Sequence, residues 1–296
     1  MTSTGLLRGK AAKKAAAKLP VVPAAKKTHS VLVWLSYGWM AAIILLAVFA
    51  PVLHLPSYAT PIGFPRLGPS TDSLSMLLGT DGTGRSMLSR LIYGARVSLV
   101  VGTAACVTTF VLGSLLGMMA GYFGKKLDTG IGLLTDVMLA FPGLVLLLAL
   151  AATFTPSITT LIVGMGVMGM PQFVRLARAQ TLSWSTRGFV RAAKNMGAGP
   201  WRILFREILP NVLPPLAAYL PIVLAHVIVA EGSLSFLGLG IPPPSPSWGG
   251  MIYAGKDSIA DDPHLVFVPA LAIFCTVFAL NQIGDHLRNR FDGDHL

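Results

Sequence analysis

Long apolar runs separated by short polar segments dominate this chain. A helix needs roughly 20 consecutive apolar residues to cross the hydrocarbon core of a bilayer. Six runs approach or exceed that length, at 31–53, 98–121, 132–154, 158–173, 213–234 and 265–283. The pattern therefore predicts an all-α, polytopic membrane bundle of about six transmembrane helices, with the fourth span the shortest.

The composition supports a membrane protein and excludes an ordinary soluble domain. Hydrophobic residues make up 53% of the chain and charged residues 12%, whereas a soluble domain carries about 25% charged residues. Cys106 and Cys275 lie inside apolar runs, and their spacing predicts neither a disulfide framework nor a metal site.

The chain divides into three predicted regions. Residues 1–30 are rich in Lys, Ala and Pro and are predicted to be a basic, disordered cytoplasmic tail. Residues 31–95 hold the first span and an extracytoplasmic segment, since the first run is too long for a signal-peptide core. Residues 96–290 hold the remaining spans, with a basic cytoplasmic loop at 174–212.

The distribution of Lys and Arg predicts the orientation in the membrane. If the N-terminus is cytoplasmic, 18 of the 23 basic residues fall on the inner side. The five outer ones are Arg66, Arg85, Arg90, Arg96 and Lys256. Because positive charge is enriched in cytoplasmic loops, both termini are predicted to be cytoplasmic. The net charge of +11 is explained by the membrane, and no nucleic-acid partner is expected.

Ionisable residues within apolar runs are candidates for function. Asp136, near the inner end of the third span, is expected to be satisfied by Lys125, Lys126 or headgroup water. Glu231, near the outer end of the fifth span, either meets the amino group of a cargo molecule or has a structural role. A lone His226 without a second ligand at suitable spacing does not indicate a metal site.

The 174–212 loop is predicted to form two short helices around a glycine turn. Residues 181–186 end in good N-cap residues, 187–195 have helical composition, and Gly197 suits a left-handed stop. Residues 201–208 are predicted to form the second helix, which Pro210 ends. Two interpretations remain open from these residues: a knob that projects into the cytoplasm, or an amphipathic helix lying on anionic lipid.

The segment from Phe189 to Gly197, followed by 208–211, resembles the coupling loop of ABC importer permeases, which seats in a groove on the ATPase subunit. The alanine pair, the glycine four residues after it and the Leu-Pro all match, while Arg191 replaces the usual glutamate. The resemblance implies an ATPase-coupling loop formed by Arg191, Ala192, Ala193, Gly197, Leu209 and Pro210.

Further stretches resemble dipeptide, oligopeptide and nickel permeases. They are 78–99, Asp136 with 140–142, 231–240 and 246–249, in the order that this family shows. The resemblance makes Glu231 and Phe236 candidates for the substrate path or outer gate. The proline-rich loop 241–248 is expected to be stiff, and either braces the gate, meets a solute-binding protein or simply connects two spans.

The resemblance implies a permease that is not itself an enzyme and carries no cofactor. Its expected partners are a second permease, two ATP-binding subunits that hold ATP and Mg, an extracytoplasmic solute-binding protein and the lipid bilayer of a prokaryotic cell membrane. The segment 79–86 nearly spells a phosphate-binding loop, but it lacks the required α/β context. A secondary transporter or channel that works without an ATPase is the competing interpretation.

Overall fold

The computed structural model describes residues 30–155 and 157–293. In that part of the chain all regular structure is helical, apart from an antiparallel bridge between Thr80 and Ser86. The helices are α1 (Ser30–Phe49), α2 (Met87–Phe123), α3 (Lys125–Ala140), α4 (Gly143–Thr153), α5 (Ile158–Ser185), α6 (Gly188–Asn195), α7 (Pro200–Phe236), α8 (Trp248–Gly255) and α9 (His264–Gly293). The tail predicted at 1–30 lies outside the described residues, apart from Ser30.

The all-α membrane architecture predicted from the apolar runs is confirmed. The helices α1, α2, α5, α7 and α9 are each long and apolar enough to cross a bilayer. The bent pair α3–α4 completes a sixth crossing when it is counted as one span.

The third span is not the continuous helix that the sequence predicts. Helices α3 and α4 meet at an angle of 87° across Phe141 and Pro142. Phe141 is extended, with φ −93° and ψ 136°, because the residue before a proline is driven out of the helical region. Pro142 has no N–H to continue the helix, and a new helix begins at Gly143.

The fourth span is longer than predicted, and the loop after it is shorter. Helix α5 does not end near residue 173 but continues to Ser185, and α7 already begins at Pro200. Phe173, Ala177 and Thr181 are fully buried at helical spacing, so one face of α5 stays packed well beyond the apolar run. The segment between these helices is therefore 186–199.

Helices α2 and α5 pack at backbone distance through a row of glycines on α2. A Cβ added to Gly113 would lie 2.6 Å from the Cβ of Phe173, and one on Gly117 would lie 2.8 Å from the Cβ of Ala177. Gly121 continues the row one turn later. Small residues allow such close approach between helices in a membrane, where no hydrophobic effect drives association. We call Gly113, Gly117 and Gly121 the glycine row.

Helix α5 contributes glycines of its own to the same contact. A Cβ on Gly166 would meet the side chain of Thr108 at 2.8 Å, and one on Gly169 would meet Thr109 Oγ1 at 2.7 Å. The Thr109 hydroxyl donates to the carbonyl oxygen of Gly166 at 2.7 Å. Helices α2 and α5 therefore form a closely joined pair.

Residues 53–86 form a hydrogen-bonded segment ahead of α2. The Thr80 hydroxyl donates to the carbonyl oxygen of Phe64 at 2.7 Å and accepts from the Leu67 N–H at 2.8 Å. The Arg90 guanidinium of α2 donates to the carbonyl oxygen of Tyr58 at 3.2 Å. These bonds attach the segment to the first turn of α2.

Candidate functional site

The connection between α5 and α7 is a short amphipathic helix, α6, held between the ends of two spans. Val190 and Ala193 face inward and are buried, whereas Arg191, Ala192 and Lys194 are exposed. The buried pair joins the main apolar core beside Ile203, Leu204 and Ile208 of α7. Helix α6 is therefore anchored on one face and free on the other.

Helix α6 begins one residue later than predicted and without the expected side-chain cap. Its N-cap is Arg187, in an extended conformation with no side-chain capping bond. Thr186 instead follows the last turn of α5, and its hydroxyl donates to the carbonyl oxygen of Ser183 at 3.0 Å. The guanidinium of Arg187 lies 5.2 Å from the ring centroid of Trp184, which fixes the corner by a cation–π contact.

Gly197 ends α6 in the left-handed conformation predicted for it. Its φ is +84°. The Gly197 N–H donates to the carbonyl oxygen of Lys194 at 3.0 Å, and the Ala198 N–H donates to the carbonyl oxygen of Ala193 at 3.1 Å. This pair of bonds is the Schellman motif, which satisfies the last carbonyls of a helix. An added Cβ at Gly197 would meet nothing within 4 Å, so backbone conformation rather than space favours glycine here.

The free face of α6 combines small, apolar and basic groups. Ala192 and Gly197 leave open surface, and the neighbouring Met196 is 81% exposed. Arg191, in the position where the resemblance implies a glutamate, has no ion-pair partner among residues 30–155 and 157–293. Ala193, which the resemblance includes in the coupling loop, is 7% exposed and packs against the apolar core, where it positions the helix.

Leu209 and Pro210 lie inside α7 rather than at the end of a separate helix. The expectation that Pro210 ends a helix is wrong, because α7 runs without interruption from Pro200 to Phe236. A π-helical turn over Ile203–Ile208 precedes the proline. A π-helical turn changes the pattern of backbone hydrogen bonds just before the proline, which has no N–H to donate. Leu209 packs against the apolar core, and Pro210 is exposed.

Glu231 is enclosed where α2, α7 and the segment before α8 meet. It is 1% exposed, and its carboxylate accepts from Ser235 Oγ at 2.7 Å and from Ser98 Oγ at 3.2 Å. Ser247 Oγ lies 3.4 Å from Ser235 Oγ and caps α8 by accepting from a backbone N–H. In this arrangement the carboxylate and its serine partners join three elements.

Phe236 is half-exposed, whereas Trp248, at the end of the proline-rich loop after it, is buried. Phe236 is the last residue of α7 and is 45% exposed. In the loop 241–248, Trp248 is fully buried, and its Nε1 donates to the carbonyl oxygen of Leu91 in α2 at 3.0 Å. The proline-rich loop therefore braces this end of the bundle against α2.

Two ion pairs that the sequence did not reveal connect α3 with α5. Arg178 makes two bonds to the carboxylate of Asp128, at 2.5 and 2.7 Å. Arg175 pairs with Asp136 at 2.8 Å. The expectation that Lys125 or Lys126 satisfies Asp136 is therefore wrong.

Asp81 organises the segment that resembles a phosphate-binding loop. Its carboxylate accepts from the N–H groups of Thr83 and Arg85 at 2.8 and 3.0 Å, and the Arg85 and Arg90 guanidiniums lie 2.8 and 3.3 Å away. Burial raises the pKa of Asp81, but the hydrogen bonds from Arg85 and Thr83 outweigh this effect and hold the pKa below its ordinary value. The segment is an internally bonded turn.

The described residues show no group of three or more metal-ligating side chains. His226 is exposed, and its Nδ1 lies 2.8 Å from the carbonyl oxygen of Ile222, one turn earlier. This histidine is bonded to its own helix.

Comparison with known proteins identifies one family across most of the bundle. The model of the binding-protein-dependent transport system inner membrane component matches residues 113–293. The dipeptide transport system permease protein DppC of Alkalihalophilus pseudofirmus is 37% identical over 254 residues, which cover 86% of this chain and 83% of that protein. The glutathione transport system permease protein GsiD of Pectobacterium atrosepticum is 37% identical over 215 residues, 73% of this chain and 71% of that protein.

A solved structure shows the same fold at lower sequence identity. A chain of the MetNI methionine ABC transporter in an inward-facing conformation aligns with a TM-score of 0.57 and 19% identity. The alignment covers 69% of this chain and 97% of that chain.

Proposed function

The chain belongs to the family of binding-protein-dependent transport system inner membrane components, and from this membership we propose that it is a permease subunit of an ATP-driven importer for dipeptides or similar small solutes. In this proposal it pairs with a second, unlike permease. Two ATP-binding subunits carry ATP and Mg, and an extracytoplasmic solute-binding protein delivers the cargo. This chain binds no cofactor of its own.

The anchored helix α6 is the observation that carries the proposal. A coupling element has to present a free surface to its partner and to transmit force without bending. Helix α6 presents Ala192 and Gly197 outward and is fixed by Val190 and Ala193 on its other face. Because Arg187 and the Schellman turn at Gly197 define its two ends, displacement of α6 moves α5 and α7 together.

The close packing of α5 on α2 extends this displacement into the bundle. At the glycine row the two helices are in close contact, so we expect a displacement of α5 to carry α2 with it. The ion pair between Asp128 and Arg178 adds α3 to the moving group. Rigid-body motion of packed helices is an established way to alternate the access of a central path.

The proposed orientation places α6 in the cytoplasm, where the ATP-binding subunits act. It rests on the excess of Lys and Arg on that side. A cysteine at Met196 is expected to react with a membrane-impermeant maleimide only in inside-out vesicles, and one at Ser73 only in right-side-out vesicles. The opposite result would reverse the orientation.

A matched pair of alanine substitutions tests the coupling role. Gly197→Ala places a side chain at φ +84°, which costs about 1–2 kcal/mol. Gly199→Ala, two residues later, has φ −68° and open space. We expect Gly197→Ala to weaken co-purification of the ATP-binding subunits about 5- to 30-fold, in line with that cost, and to lower ATP-driven dipeptide uptake in proteoliposomes. Gly199→Ala should resemble the wild type.

The same assay separates the proposal from its alternative. If the wild-type chain purifies alone and moves solute without ATP, a secondary transporter or channel is the better description. If both variants retain the ATP-binding subunits and full uptake, α6 is not the coupling element.

A further inference from the structure

A cavity of about 340 Å³ opens beside the first turns of α2, on the side of the 53–86 segment. Its volume lies within the range of sites that hold organic ligands, about 300–1,000 Å³. Its walls are mainly apolar, with a few polar groups. The residues used below are Tyr58, Tyr93, Arg96, Val100 and Ser245.

Arg96 is the charged residue among those that line this cavity and lacks a counter-ion among residues 30–155 and 157–293. Two other arginines at this end of α2, Arg85 and Arg90, share the carboxylate of Asp81. Arg96 lies six residues beyond Arg90, is exposed, and has no ion-pair partner in the described part of the chain. An exposed arginine at the membrane boundary lies at the depth of the lipid headgroups and is available to pair with an anion there.

An exposed valine stripe continues from Arg96 along α2. Val100, Val107 and Val111 are 58%, 52% and 52% exposed, and their spacing of seven and four residues puts them on one helix face with Arg96. The valine stripe from Val100 to Val111 is about 16 Å long. One leaflet of the hydrocarbon core is about 15 Å thick. The stripe therefore matches the depth of a single leaflet.

We propose that this cavity binds a phospholipid from the leaflet that meets the 53–86 segment, with its phosphate on Arg96 and an acyl chain along the valine stripe. Tyr58 and Ser245 line the cavity and offer hydroxyls that suit the polar headgroup, whereas the Tyr93 hydroxyl donates to the carbonyl oxygen of Ala50. An anionic headgroup fits the uncompensated guanidinium best. A peptide would not use an apolar stripe one leaflet deep, so a lipid accounts for more of the site.

Photo-crosslinking of a defined lipid tests this assignment. The permease is purified with its partner subunits and reconstituted in nanodiscs with phosphatidylglycerol that carries a diazirine in its acyl chain. We expect crosslinks to the peptide that contains Val100 and Val107. Arg96→Gln should lower their yield about tenfold, as expected for loss of a charged hydrogen bond, and Arg96→Lys should restore most of it. Arg66→Gln removes an exposed arginine of the 53–86 segment that does not line the cavity, and should leave the yield unchanged.

Three outcomes would overturn the proposal. Equal yields in Arg96→Gln and wild type would remove the headgroup assignment. In a second experiment, the photo-crosslinker benzoylphenylalanine replaces Val100. Crosslinks from it to the second permease would show that the cavity is a protein interface. Competition by a free-acid dipeptide, but not by its C-terminal amide, would assign the cavity to cargo. ATP-driven uptake by the same preparation reports on the transport function separately.

Discussion

Replacing Gly117 with alanine tests whether α2 and α5 move as one body. The added Cβ would lie 2.4 Å from the carbonyl oxygen of Val174 and 2.8 Å from the Cβ of Ala177, whereas ordinary van der Waals contact begins at 3.4 Å. The backbones must therefore separate by about 1 Å at this point, and neighbouring contacts must loosen with them. Overpacking of this kind costs about 1–3 kcal/mol, and the better helix propensity of alanine offsets up to about 1 kcal/mol.

The assay is thermal unfolding of the purified permease in mild detergent, followed by the fraction that remains monodisperse. A net loss of about 1–2 kcal/mol corresponds to a fall in Tm of about 2–8 °C, at about 2–4 °C per kcal/mol for a large domain. Gly130→Ala is the matched control, because Gly130 is also helical but an added Cβ would meet nothing within 4 Å. This control should be as stable as the wild type or slightly more stable.

A Gly117→Ala variant as stable as Gly130→Ala would refute the reasoning, because α2 and α5 would then tolerate separation without cost. If Gly117→Ala lowers Tm but leaves ATP-driven uptake intact, the glycine row stabilises the bundle without transmitting the motion of α6.

Three further substitutions probe the side of the bundle that carries the 53–86 segment. Because the pKa of Asp81 is lowered in the folded protein, the stabilisation from its ionised form is complete above the ordinary value of 3.8 and is lost as the pH falls through the folded-state value. The Tm difference between wild type and Asp81→Asn should therefore be constant from about pH 5 to 8 and shrink below about pH 4; a difference that grows on acidification would contradict this sign. Glu231→Ala should lower Tm by leaving buried hydroxyls without their acceptor, at about 1–3 kcal/mol each, whereas Phe236→Ala, at a half-exposed position, should change Tm little. Equal Tm values for these two variants would contradict a structural role of Glu231.

The membrane spans were predictable because apolar run length is a local property of the sequence. The breaks and extensions were harder to predict. Pro142 was visible, but an intramembrane proline is compatible with a continuous helix as well as with a break. The end of α5 depends on burial of Ala177 and Thr181 against α2, which no local window of sequence reveals.

In the candidate site, too, features set by neighbouring residues were predictable from the sequence, whereas contacts between distant residues were not. Gly197 was identified because a left-handed helix stop is encoded by a single residue. The inward direction of Ala193 depends on the packing of α6. The partners of Glu231 and Asp136 were missed because Ser98 lies 133 residues from Glu231, and Arg175 lies 39 residues from Asp136. Sequence therefore identified the residue types that matter, and the fold determined which of them meet.

The glycine row has a further consequence for the order in which the protein is made. Thr109 bonds a residue of α5 that lies 57 positions later in the chain. At a synthesis rate of about 5–20 residues per second, α2 waits about 3–11 s in the membrane before its partner exists. During that interval its small-residue face is covered only by lipid. A nascent chain that stalls before α5 is made therefore leaves a groove on α2 that a second copy of α2 can occupy.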